Sequence, residues 1–105
     1  MDPPGSEDWE ASAVAWLIDQ APDLRSHTMA RRHPVILAVI VRHTLAGALE
    51  GARAGYRTAR TELGEAVPLH AVEAALKAYR DEGRRIAATV RTVELVERAL
   101  RGDPL

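Results

Sequence analysis

The chain has 105 residues, 47% of them hydrophobic and only 4% aromatic, with a net charge of -1. That length allows one domain, and its core must come from Ala, Val, Leu and Ile, because there is no Phe and only two Trp and two Tyr. The absence of cysteine excludes disulfides and thiolate metal sites, and near-neutrality argues against bulk nucleic-acid binding.

The charges are segregated. Residues 1–24 carry six acidic groups and no Arg or Lys. Residues 25–60 carry seven Arg against the single Glu50. Residues 61–105 hold seven basic and eight acidic residues, so they nearly balance. This asymmetry predicts an acidic arm that docks on or shields a basic helix, or else two separately solvated faces. Arginine supplies 13 of the 14 basic residues, which fits a GC-rich bacterial source.

The opening MDPPGSEDWE is acidic and proline-rich, the opposite of a signal peptide. Ser6 is placed to cap a first helix, with Glu7, Asp8 and Glu10 in its first turn. The helix runs to about Gln20 and stops before Pro22. Trp9, Ala13, Trp16, Leu17 and Gln20 share one side, and Val14 and Ile18 another. Trp9 and Trp16 are core anchors or, if the arm detaches, interface residues. Residues 22–33 form a connector in which Asp23 or Ser26 can cap a short turn.

Two long helical patterns follow, at about 34–63 and 68–101, each with Pro at its start and Gly (Gly64, Gly102) at its end. In the first, Val41, Leu45, Ala48 or Leu49, Ala52, Tyr56, Ala59 and Leu63 make one apolar stripe. Its beginning, Val35 to Val41, is apolar on every side, which predicts burial all round. That run is also the longest apolar one, well short of the ~20 residues of a membrane span. A soluble, cytoplasmic protein with no membrane partner is the expectation. In the second helix, Leu69, Val72, Leu76, Tyr79, Gly83, Ile86, Val90, Val93, Glu97 and Leu100 resemble a coiled-coil seam, with Gly83 and Glu97 as imperfections. Leu95 and Val96 offer an alternative seam near its end.

The break between these helices is short enough to make them antiparallel neighbours. Counting from the turn sets Gly51 opposite roughly Asp81–Gly83, and the layer Arg53–Tyr56 opposite Leu76–Tyr79. At ~1.5 Å per residue the helices are ~45 and ~50 Å long, too long for a compact globule of this size. The fold expected is therefore all-α: a long antiparallel hairpin (34–105) plus a shorter N-terminal amphipathic helix (within 1–33), dimerising into a four-helix-type bundle. A monomeric three-helix bundle is the alternative.

Several features bear on function. Gly47, Gly51 and Gly55 form a ladder inside a helix, at a cost of roughly 1 kcal/mol each relative to Ala. Such a ladder predicts close approach by another helix: either the second long helix or the same helix across a dimer axis. Arg42, Arg53, Arg57 and Arg60 fall within about 60° of one another on the helix. Arg80, Arg84, Arg91 and Arg98 do nearly the same on the second, and Tyr56 and Tyr79 each precede an Arg. Guanidinium forks suit phosphate or carboxylate, so Arg53, Arg57, Arg60, Arg80 and Arg84 with Tyr56 and Tyr79 are candidates for binding an anion or a partner. The competing reading is a solvated, salt-bridged face, with Glu50, Glu73, Glu94 and Glu97 as partners. Aromatics are too few for a single-strand stacking platform, and helix-turn-helix spacing is absent.

His27, His33, His43 and His70 lack metal-site spacing, and a buried His43 after the apolar run is expected as a hydrogen-bonded core residue or a pH-sensitive interface group. No Ser has a matching base and orienter. The sequence therefore predicts no enzyme, no cofactor and no metal. It predicts a homodimeric interaction, adaptor or regulatory protein with a protein partner. Nucleic acid or a small anionic ligand bound on the arginine faces is the alternative.

Overall fold

A computed structural model of the chain describes residues 7–102, so the Ser6 cap lies outside the described residues. Within them the fold is all-helical, with no strand. Helix α1 spans Glu7–Gln20, and a 3-10 turn follows at Pro22–Ser26. A short α2 covers Thr28–Arg32, α3 Pro34–Glu62 and α4 Leu69–Leu100.

The boundaries follow from the punctuation of the sequence. Pro34 opens α3, and the carbonyl of His33 just before it accepts from the Leu37 amide at 3.1 Å. The Pro68 carbonyl accepts from Ala71 and Val72 at 3.0 and 3.2 Å, so Pro68 sits one residue outside α4 and opens it. Gly102 ends α4 in the left-handed region at φ 79°, where its missing Cβ matters. Gly64 has no such φ; α3 ends instead in a turn whose Ala66 and Val67 amides both bond the Leu63 carbonyl, at 3.1 and 3.2 Å. The Asp23 and Ser26 alternatives for capping the connector are replaced by His27, whose Nδ1 accepts from the Ala30 amide at 3.2 Å.

The chain divides into two compact units, one made of residues up to Thr44 with those from Val90 on, the other of Leu45–Thr89. The first unit buries Trp9, Ala13, Leu17, Ile18 and Ala21 from α1 and its flank, Ala30 from α2, Leu37, Ala38 and Val41 from α3, and Val93 from α4. Positions 9, 13 and 17 are one helical turn apart, which is why α1 presents a single buried stripe. Trp9 belongs to this core, whereas Trp16 is half-buried.

Three expectations for these helices are corrected. The start of α3 is not buried on every side: Leu37, Ala38 and Val41 are buried, Val35, Val39 and Ile40 are half-buried, and Ile36 is 44% exposed. His43 is exposed rather than a core residue; it lies two residues past Val41 and turns outward. Leu69 does not join the seam of α4 and is 72% exposed, as is usual for a helix's first residue with nothing laid over it. Leu95 is likewise exposed, so the seam near the end of α4 runs through Val93, Val96, Glu97 and Leu100.

Glu97, the charged intruder in that seam, has a reason to be there. Its side chain is 16% exposed, and its carboxylate accepts from Arg42 Nε at 3.2 Å. Arg101 Nε lies 3.4 Å from its other oxygen. Removing one member of such a cluster strands the others. Glu97→Ala is expected to cost about 1–2 kcal/mol, reduced from a fully buried pair because Arg42 is partly hydrated. Glu73→Ala, on an exposed position, should stay within about 0.5 kcal/mol. Urea unfolding of the two variants checks this, and equal midpoints would remove the role given to Glu97.

One further property of α3 escaped the count of uninterrupted apolar residues. An 18-residue stretch of this helix has a mean hydropathy of 1.5, with at most two charged residues and 22% of it buried. By length and composition alone it is able to cross a bilayer. A core helix of a water-soluble protein passes the same test.

Candidate functional site

The Leu45–Thr89 unit holds the candidate site. It contains the C-terminal part of α3 and the N-terminal part of α4, and its buried residues are Ala52, Ala59, Val72 and Ile86. Side-chain contacts set the register: Tyr79 lies against Gly55, and a Cβ on Gly83 would stand 3.8 Å from Leu49. Across these two contacts position numbers rise on one helix as they fall on the other.

Between them runs a groove of about 440 Å³. Leu49, Ala52, Gly83 and Ala87 supply apolar and small residues, Tyr56 and Tyr79 the aromatic walls, and Arg53, Arg57, Arg80 and Arg84 the charge. Among the described residues no carboxylate lines it. On each helix the two arginines are one turn apart, so each pair lies on one face. Six of the seven residues singled out for anion binding therefore come together, and Arg60 alone lies outside the lining.

The charges differ in availability. Arg53 is held by Glu50 in an exposed i,i+3 pair at 2.7 Å. Among the described residues Arg57, Arg80 and Arg84 have no ion pair within 4 Å. The acidic residues nearby on α4 are otherwise engaged. Lys77 bonds Asp81 and holds its carboxyl below the usual range, with added attraction from Arg84 and Arg80. Arg85 bonds Glu82, lowering the carboxyl and raising its own guanidinium. The surface between α3 and α4 is thus not fully salt-bridged.

The glycine ladder splits. Gly55 is where the Tyr79 ring lies against the α3 backbone, and a Cβ there would meet three ring carbons. Gly47 and Gly51 face open space, with nothing within 4 Å of a built Cβ. The ladder's use inside this unit rests on Gly55 alone.

The groove's apolar lining was the part that sequence reading missed. In sequence Leu49 and Ala52 belong to an ordinary apolar stripe, and Gly83 is an imperfection in a seam. The available signal was the pairing across the turn, which already set Gly83 near Gly51 and the two Tyr in facing layers. Among the described residues no three His, Asp or Glu side chains gather as a metal site would require. The chain matches no family model, no curated protein and no solved structure.

Proposed function

We propose that this chain is a non-enzymatic helical binding protein whose working surface is the Tyr–Arg groove, and that the groove takes an anionic group. The observation that carries this reading is the set of guanidiniums of Arg57, Arg80 and Arg84, which line one groove and, among the described residues, have no ion-pair partner within 4 Å. Arg85, by contrast, is satisfied within its own helix by Glu82. Three left unpaired around a shared hollow suit a ligand that brings its own negative charge.

The same reading includes a full-length antiparallel hairpin of α3 and α4 and its association into a homodimeric four-helix bundle. Its support is the exposed face of α3 at Gly47 and Gly51, where nothing among the described residues lies within 4 Å of a built Cβ, and the half-open apolar start at Ile36.

Calorimetric titration with inorganic pyrophosphate, a compact multivalent anion, tests the groove. Binding is expected to weaken as salt rises. Arg57→Gln with Arg80→Gln is expected to reduce affinity by about tenfold, since each charge-assisted bond contributes about 1.5–3 kcal/mol before solvent exposure is discounted. Arg91→Gln, outside the groove, serves as the control. Binding that ignores Arg57 and Arg80 would overturn the assignment.

A further inference from the structure

The lining of the groove says more about the ligand than its charge does. A site built only for a compact anion would be polar to its floor. Here the lining includes the apolar Leu49, Ala52 and Ala87, and the Tyr79 ring stands as a wall against Gly55. Small residues at 52, 83 and 87 leave room that larger side chains would fill. The volume of about 440 Å³ lies in the range of small-molecule sites, about 300–1,000 Å³. The charges are also confined. Within this unit each arginine pair spans only one helical turn, ~6 Å along the axis, so the groove offers charge to one short region of a ligand.

We infer that the groove's occupant is a free single-chain amphipathic anion, with an apolar body against Leu49, Ala52 and the Tyr79 wall and a phosphate or carboxylate among Arg57, Arg80 and Arg84. This inference rests on the anion-binding reading above and names the chemistry of its ligand. Arg57 and Arg80 act from opposite helices, so a headgroup between them is held from two sides. Gly55 is the positioning residue of the aromatic wall: its missing Cβ is what lets the Tyr79 ring lie against the α3 backbone.

The test is calorimetry on the full chain with octyl phosphate as a monomer, inorganic phosphate and octanol. One-to-one binding of octyl phosphate is expected, at least about tenfold tighter than either phosphate or octanol, because eight methylene-scale groups add apolar burial and the headgroup adds charge. Arg57→Gln and Arg80→Gln should each weaken it about fivefold. Gly55→Ala should weaken octyl phosphate while leaving phosphate unchanged, a split that a purely electrostatic site would not show. The three-ligand comparison on the unaltered chain decides the matter even if a variant fails to fold.

Phosphate binding as tightly as octyl phosphate would overturn the inference, as would octanol doing so. Preference for a short DNA duplex, or for phosphatidylglycerol vesicles over the monomeric ligand, would also overturn it. If pyrophosphate binds through Arg57 and Arg80 but the octyl chain adds nothing, only the amphiphile falls. If none of these anions binds, the anion-binding reading falls with it.

Discussion

Leu37→Ala is expected to lower the unfolding free energy by about 2–5 kcal/mol, whereas Ile36→Ala, one position earlier, should cost about 1 kcal/mol or less. Both are branched aliphatic residues in the first turn of α3, and their helix propensities differ by only a few tenths of a kcal/mol. Burial does: Leu37 is fully buried and Ile36 is 44% exposed. Truncating Leu37 removes transfer energy and leaves a cavity beside Ala38 and Val41. Truncating Ile36 returns surface that is already half in water, and Ala is the better helix former. Domains are stable by about 5–15 kcal/mol, so the first change consumes a large share. Urea midpoints at constant m would show it. The informative failure is an Ile36→Ala cost that grows with protein concentration, which would mean that a second copy covers this side of α3.

That pair also shows what the sequence could and could not disclose. Helix boundaries were legible because Pro34, Pro68 and Gly102 act through their own backbone chemistry, whatever packs nearby. The sidedness of residues 35–41 was not legible. An unbroken apolar run contains no polar residue to mark the outward face, so its burial depends on what happens to lie over it. His43 was misread for the same reason, its setting inferred from the run before it. Glu97 looked like a fault in a seam because its partner, Arg42, stands 55 positions away, beyond any local pattern. In the site, the arginine rows were visible as periodicity and the Tyr layers by counting from the turn. The hollow between them was not, because Leu49, Ala52 and Ala87 are the residues that any helix seam would carry. A groove is defined by the space that side chains leave, and small residues do not announce it.

The three glycines of α3 should respond to alanine with different signs. Gly47→Ala and Gly51→Ala are each expected to stabilise the isolated chain by about 0.5–1 kcal/mol, since the added methyl meets nothing and the helix backbone loses less entropy on folding. Gly55→Ala gains the same propensity but must displace the Tyr79 ring. Its stability is expected to fall about 1–3 kcal/mol below that of the other two variants, the usual cost of overpacking. Thermal and urea unfolding at low micromolar concentration would rank the three. Three equal gains would mean that the ring moves aside freely and that Gly55 has no shaping role. The outer pair also tests self-association. If a second copy packs its helix closely on Gly47 and Gly51, a Cβ at each position enters that contact. The double variant would then melt higher when dilute, yet dissociate more readily by light scattering when concentrated. Stabilisation at every concentration, with an unchanged scattering mass, would instead leave that face of α3 solvated and remove the close-packed dimer. The roughly 1 kcal/mol that each glycine costs the helix would then have no structural return except at Gly55, where it holds the aromatic wall of the groove in place.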